Sequence, residues 1–389
     1  MLRRSLHSLP ASRIREVSQT VVPGADVVRF WFGEGDSPTP DFIRAAAKEA
    51  LDRGETFYGP NLGLPELREA IAAYASRLRA PATVSTDRIA VTSSGVNALT
   101  LVGQALLEPG DRVAIVTPVW PNMTSIPLLY SAEVARVPLE YRGEAWTLDL
   151  QRLIDAASPA TKMVVVNSPH NPTGWVMPQP QWDALLGHCR RNGIWLVADD
   201  AYERLMYDGS THAPGLLAAA DPDERWISVN TFSKTWSMTG WRLGWVVAPR
   251  RFVEGLAKVI EFNTSCAPAF IQRGGLAALA AGEPPVLAGV ARLGRARDLL
   301  LRRMRAIPGV EVATPSGAMY AFLRISGRSD DSFEFARALA ASGGVGLAPG
   351  IAFGPEGEGW LRWCFAAGEA LIDEGARRLE RFLAAGARR

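Results

Sequence analysis

Five short apolar runs, each closing on a polar or glycine cluster, constrain this chain more than any other feature: residues 89–92, 113–116, 163–166, 194–198 and 226–229. Helical stretches over 98–107, 148–157 and 182–191 separate most of them. A strand that is apolar along its whole length must be covered on both faces. Such strands alternating with helices predict an α/β fold with a mostly parallel sheet sandwiched by helices. Residues 243–248 add a further strand, read as antiparallel because its connection is short. In open sheets of this kind, ligands sit outside the carboxyl ends of the strands. The segments that follow the runs are Ser93-Ser94-Gly95-Val96, Pro118-Val119-Trp120, Asn167 to Gly174, Asp199-Asp200-Ala201-Tyr202 and Thr231 to Lys234. All fall on one rim, where chance would scatter them.

At 389 residues the chain is long enough for two or three domains, each with its own core. Helices are expected over 42–53 and from Leu64-Pro65 onward, with Pro65 in a first turn where its missing N–H costs nothing. At Gly282-Glu283-Pro284-Pro285 the pattern breaks, and a basic helix over 287–305 follows. Strands over 319–323 and 361–365 and helices over 332–341 and 371–384 then describe a smaller α+β domain. The expected division is a large α/β domain over 39–284, and an N-terminal arm and small domain over 1–38 plus 285–389.

A net charge of +2 argues against nucleic acid as the principal partner. Cys189, Cys266 and Cys364 are widely spaced and form no CxxC, so neither a disulfide framework nor a zinc site is expected, and four scattered histidines offer no metal cluster. No run of 18 apolar residues is present and no apolar segment follows Arg3 and Arg4, so the expectation is a cytoplasmic protein with no membrane span. The charged stretches 292–305 and 377–389 read as solvated helix faces.

The chemistry concentrates around Lys234, set among Thr231, Ser233 and, eight residues on, Arg242. Burial of a lysine lowers its pKa, the condition an amine needs to attack a carbonyl; taken alone, a Ser-Lys pair is far more often a surface lysine beside a turn. The hydroxyls and the guanidinium suit a phosphate. Ser94-Gly95-Val96 lies between strand and helix, where free N–H groups make an anion site or simply a tight turn. Asp199 ends an apolar run and needs a cation there, unless it merely caps a helix. Tyr202 could direct its phenol at the same ligand, Trp120 could stack on it or fill core, and Asn171-Pro172-Thr173-Gly174 is a constrained turn. Arg362, inside an apolar strand, is either paired internally or waiting for a substrate carboxylate. Gly344-Val345-Gly346 imitates a dinucleotide fingerprint but runs into Pro349, so a nicotinamide enzyme is not expected.

Together these residues resemble the pyridoxal-phosphate-dependent aminotransferases of class I/II, the aspartate aminotransferase superfamily of fold type I. The matching segments run in order along nearly the whole chain: Gly33 to Pro40, Tyr58 to Arg68, Ser94-Gly95-Val96, Asn167 to Gly174, Asp199 to Tyr202, Ser233-Lys234 with Thr239 to Arg242, Pro349 to Gly354, and Leu361-Arg362-Trp363. The resemblance implies a seven-stranded sheet and pyridoxal 5'-phosphate held covalently by Lys234, which would also move the substrate proton. It implies that Asp199 keeps the pyridine nitrogen protonated, that Tyr202 and Asn171 meet the ring oxygen, and that Trp120 stacks on the ring. Ser94, Gly95, Val96, Thr231, Ser233 and Arg242 would hold the phosphate. Arg362, with Asn171 and Gly35, would bind the substrate α-carboxylate. Tyr58 would reach the neighbouring subunit's cofactor, implying a homodimer with shared active sites. The implied reaction carries an amino group from an L-amino acid to a 2-oxo acid by a ping-pong mechanism.

Two departures from the family pattern, Asp200 where Glu is commoner and Ile351 where a small hydroxyl residue is common, do not touch this chemistry. Val96 stands where aspartate-preferring bacterial relatives often carry Lys, which inclines the reading toward neutral or aromatic donors. Two alternatives stay open on the sequence: a carbon–sulfur lyase of the same fold, and a non-catalytic amino-acid effector-binding module.

Overall fold

The computed structural model describes residues 4–7, 9–22, 24–79 and 82–386. Seven strands form its main sheet: β1 (Ile89–Thr92), β2 (Arg112–Thr117), β3 (Glu133–Pro138), β4 (Thr161–Asn167), β5 (Trp195–Asp199), β6 (Trp226–Thr231) and β7 (Gly244–Val247). Their spatial order is β1-β7-β6-β5-β4-β2-β3. β2 runs parallel to β3 and β4, β4 to β5, and β5 to β6. Only β7 is reversed, antiparallel to both β6 and β1, as its short connection predicts. All five apolar runs are strands of this sheet. β3 escaped the sequence reading because it carries Glu133 and Arg136 and is mostly half-exposed; it lies at the sheet edge, where continuous apolarity is not required.

Side chains alternate between two apolar layers, as a pleated strand demands. Val113, Ile115, Met163 and Val165 pack with Leu99, Val102, Met123 and Leu256, from the helices Gly95–Leu106, Pro121–Leu129 and Arg250–Glu261. Ala114, Val116, Val164 and Val166 face the other layer, where Ile71, Trp182 and Leu185 come from Pro65–Leu78 and Gln179–Asn192. Rigid placement of the rim follows from this double cover.

A second sheet holds β8 (Val310–Val312), β9 (Tyr320–Ile325), β10 (Ala348–Pro349) and β11 (Trp360–Cys364) in the order β8-β9-β11-β10, all antiparallel. The break near residue 282 is a corner: helices Ala269–Ala281 and Glu283–Arg305 meet at 80°, with Pro284 and Pro285 in the first turn of the second. The segment read as an arm is more structured than expected. It contains α1 (Arg13–Gln19), which buries Ile14 and Val17, and Val28–Arg29 pairs in parallel with Val345–Gly346. Among the described residues no single helix is long and apolar enough to cross a membrane. The last three residues of the 377–389 charge run lie outside the described residues.

Gly244, which opens β7, lets that strand lie against the start of the helix after β1. A Cβ there would fall 2.6 Å from the Gly95 nitrogen and 2.7 Å from the Asn230 carbonyl oxygen, both backbone atoms. Gly244→Ala is therefore expected to lower the unfolding free energy by about 1–3 kcal/mol. Urea unfolding would show this as a lower midpoint, and an unchanged midpoint would contradict the close approach.

Candidate active site

Asp199 is the last residue of β5, and Lys234 lies three residues beyond the end of β6. β5 and β6 are parallel neighbours, and Asp199 stands opposite Val229, two residues before the end of β6. Both side chains face one cavity of about 470 Å³.

The Asp199 carboxylate is buried, taking hydrogen bonds from Asn167 Nδ2 at 3.1 Å and from the Ala201 N–H at 3.2 Å. Among the described residues no cation pairs with it. Burial, reinforced by the charge of Asp200, pushes it up to about 7, against the lowering effects of the Ala201 N–H and Lys234. Across the cavity the Lys234 amine donates to the Gly33 carbonyl at 2.5 Å. Burial is again the main cause of its displacement, here down to about 8; Arg362 and Arg242 push the same way, while Cys364 and Glu34 oppose. The chain has only three other lysines. Lys48 and Lys258 are exposed, Lys162 is half-exposed, and none of them lines the cavity.

Asn171 joins three parts of the wall. Its Oδ1 accepts from Arg362 Nη1 at 3.0 Å, its Nδ2 donates to the Tyr202 hydroxyl at 3.5 Å, and its carbonyl accepts the Trp120 N–H at 3.1 Å. The Tyr202 hydroxyl lies 2.8 Å from that of Tyr320, and burial raises the pKa of both phenols. Arg362, on β11, is 2% exposed. Its Nη2 donates to the Trp31 carbonyl at 2.5 Å, its guanidinium lies over the rings of Tyr320 and Phe353, and its Nε has no partner. Among the described residues it meets no carboxylate. Its internal partners are thus a side-chain amide and a backbone carbonyl, both neutral.

The third corner is an anion cradle. Gly95 and Val96 open α2 (Gly95–Leu106), whose first N–H groups and dipole point at the cavity. Ser94 caps that helix by accepting from the Asn97 N–H at 3.1 Å and sits at φ 129°, a conformation costly for a residue with a side chain. Thr231 donates its hydroxyl to Ser233 Oγ at 2.9 Å, and Arg242, at φ 52°, lines the same space.

Among the described residues three requirements are therefore unmet: a cation for Asp199, an anion for the helix terminus with its hydroxyls and Arg242, and a carboxylate for Arg362. A phosphorylated pyridine aldehyde and an amino acid would meet all three. Of the residues singled out from the sequence, Lys234, Asp199, Tyr202, Gly95, Val96, Trp120, Asn171, Thr231, Ser233, Arg242 and Arg362 line this one cavity. Ser94 lies just behind it as the cap. Gly35 lies off the wall, near the Ala366 carbonyl, and Tyr58 is 91% exposed, away from its own chain's cavity. The sequence reading placed Asn167 on the rim without giving it a role, gave Tyr320 none, and did not expect Ser12, Ile14 and Arg15 of the N-terminal segment at the cavity. Asn167 closes an apolar run and Tyr320 opens a strand, signals that were present. For the N-terminal helix the only local sign was Ser12 as a cap.

The family description "Aminotransferase class I and II" matches residues 27–379. The chain is 33% identical to an aspartate aminotransferase of Pyrococcus horikoshii, over 96% of this chain and 94% of that one. It is 36% identical to a probable aspartate/prephenate aminotransferase of Thermus aquaticus, over 92% and 91% respectively. Among solved structures, a single mutant of the Thermus thermophilus aspartate aminotransferase superposes with a TM-score of 0.90 at 32% identity, covering 98% of this chain and 99% of that one. All three are named as aminotransferases, none as a lyase or a regulator.

The amine at the centre of the cavity makes a stability prediction for the cofactor-free protein. Lys234 loses its proton near pH 8 when folded, and near its ordinary 10.5 when unfolded. Between those values the unfolded chain binds more protons, so folding gains stability as pH rises through that window, and the buried charge is a burden below it. Comparing wild type with Lys234→Met, the difference in unfolding free energy should shift toward wild type from about pH 8 to about pH 10. A difference that does not vary with pH would contradict the displaced amine.

Proposed function

This chain belongs to the class I and II aminotransferase family, and we propose that it moves the amino group of an L-amino acid to a 2-oxo acid in two half-reactions, with pyridoxal 5'-phosphate held at Lys234. The observation that carries this reading is the pairing of a depressed-pKa amine with a buried, cation-less carboxylate on adjacent strand ends of one cavity. When bound, the cofactor would supply a carbonyl carbon for the amino group and a protonated ring to draw off the electron pair left by the α-proton.

The chain's own residues would do the rest. Asp199, its charge sustained by the Asn167 and Ala201 donors, would hold the ring nitrogen protonated. The Lys234 amine, with its proton affinity lowered toward neutrality, is placed to take the α-proton and return it on the cofactor side. Tyr202 and Asn171 would donate to the ring oxygen, and Trp120 would cover one ring face. The phosphate would lie on the N–H groups of Gly95 and Val96, capped by Ser94, with Thr231, Ser233 and Arg242 around it. Arg362, which lies over the rings of Tyr320 and Phe353, would grip the α-carboxylate with Asn171 beside it. The Gly35 backbone would help to hold the same carboxylate.

A homodimer is part of the proposal. Phe57, Tyr58 and Phe262 are 85%, 91% and 89% exposed, large aromatic surface of the kind a subunit contact covers. From such a position Tyr58 would reach the partner subunit's phosphate. A cytoplasmic setting and the division into 39–284 and 1–38 plus 285–389 complete the reading.

The direct test is a half-reaction screen of the common amino acids by cofactor absorbance, with reversal by an oxo acid. Lys234→Ala should keep the fold yet show no amino-acid-driven turnover, and normal turnover in that variant would refute the assignment. Arg362→Ala should raise KM by about tenfold to a hundredfold for every donor alike, because it meets the group all donors share. A loss confined to one donor would make Arg362 a side-chain reader instead.

A further inference from the structure

We propose that Tyr320 is a positioning residue for the reaction: its hydroxyl donates to Tyr202 and thereby turns the Tyr202 proton toward the cofactor's ring oxygen. This rests on the aminotransferase reading of the site and deepens it, giving work to a hydroxyl that the reading leaves idle.

The direction of the bond follows from the polar groups around it. A guanidinium can only donate, so the Asn171 oxygen is the atom that faces Arg362 Nη1 at 3.0 Å. The Asn171 amide nitrogen is thereby turned to the Tyr202 hydroxyl at 3.5 Å, and it too can only donate. The Tyr202 oxygen already faces one donor, and the Tyr320 oxygen stands 2.8 Å from it, the two rings crossing at 81°. Among the described residues Tyr202 is the only hydrogen-bond partner of the Tyr320 hydroxyl. Gly33 closes in on that hydroxyl as well: a Cβ there would fall 2.2 Å from the Tyr320 oxygen, which fills the space a side chain would take. If Tyr202 donated instead, the Tyr320 proton would be left without a protein acceptor in a residue 1% exposed, and Tyr202 would have no proton to offer the cofactor. Donation from Tyr320 leaves the Tyr202 proton to the cavity that both residues line.

The ring of Tyr320 serves a different neighbour. The Arg362 guanidinium lies 4.5 Å from its centre, with Phe353 as a second aromatic face at 4.9 Å. One tyrosine therefore offers its face to the α-carboxylate ligand and its hydroxyl to the ring-oxygen ligand, and removing the hydroxyl alone should affect only the second. A phenol whose oxygen accepts a hydrogen bond is the stronger donor. Donation from Tyr202 favours the anionic form of the ring oxygen and so favours proton loss from the bound cofactor; a weaker donor raises the pH at which that proton leaves.

The test compares wild type, Tyr320→Phe, Tyr202→Phe and the double variant, each loaded with pyridoxal phosphate. The first readout is the pH midpoint of the bound cofactor's absorbance, which needs no turnover. Tyr320→Phe should raise it by about 0.5 to 1 unit, and Tyr202→Phe should raise it further. In the Tyr202→Phe background, adding Tyr320→Phe should move it by less than about 0.2 unit, because the hydroxyl acts only through Tyr202. The second readout is half-reaction kinetics: in Tyr320→Phe, kcat should fall about threefold to tenfold while KM stays within about twofold, since the aromatic face beside Arg362 is kept. A raised KM with an unmoved midpoint would make Tyr320 a support for Arg362 alone and overturn the proposal. Equal midpoint shifts with and without the Tyr202 hydroxyl would overturn it too. Wild type that shows no bound-cofactor absorbance would bring down the aminotransferase reading and this proposal with it, whereas a normal absorbance indifferent to Tyr320→Phe brings down this proposal alone.

Discussion

The site depends on one arrangement: an acid and an amine, neither neutralised by the protein, held on the carboxyl ends of two neighbouring parallel strands. Burying charged groups without partners costs several kcal/mol each, so their positions must be enforced by the surroundings. Here the enforcement is the register of β5 against β4 and β6, in which Asp199 stands opposite Asn167 on one side and Val229 on the other. The layer behind is polar and buried. Glu203 pairs with Arg79 at 3.1 Å and accepts from Asn230 at 3.2 Å, and Asp200 accepts the Ser228 hydroxyl. The turn after β5 therefore has little freedom to let Asp199 relax toward water.

The other half of the cavity comes from chain segments far away in sequence. Arg362 and Tyr320 belong to adjacent strands of the second sheet, while Trp31 and Gly33 offer carbonyls to Arg362 and Lys234. The loop that carries those carbonyls is tied on two sides. Asp36 accepts the Gly368 N–H at 2.7 Å and pairs with Arg292, and the Thr39 hydroxyl bonds to the Ser237 carbonyl and takes the Trp241 indole N–H at 2.9 Å. Amine, carboxylate ligand and the loop between them thus form one connected framework.

What was legible in the sequence follows from physics. Strands buried on both faces leave unmistakable apolar runs, so the sheet, the odd direction of β7 and the common rim could be read directly. Asp199 and Arg362 stood out as charged residues in apolar settings, which need a reason to be there, whereas the roles given to them and to Lys234 came from the family resemblance. β3 was missed because an edge strand may carry Glu133 and Arg136 without penalty. The contribution of α1 was missed because a seven-residue helix has too short a period to detect, and its approach to the cavity depends on contacts more than 300 residues away in sequence, with the segment holding Ala348 and Pro349. The convergence of Asn171 on Arg362, Tyr202 and Trp120 is likewise a product of tertiary packing, invisible from spacing alone.

The most direct measurement takes advantage of the four lysines in the chain. The protein loaded with pyridoxal phosphate is reduced with borohydride, digested, and the modified peptide is identified by mass spectrometry, in wild type and in Asp199→Asn. The account predicts a single label on Lys234 in both, with the cofactor's ring-protonated absorbance lost only in the Asp199 variant. A label on Lys48, Lys162 or Lys258, or an absorbance indifferent to residue 199, would contradict it.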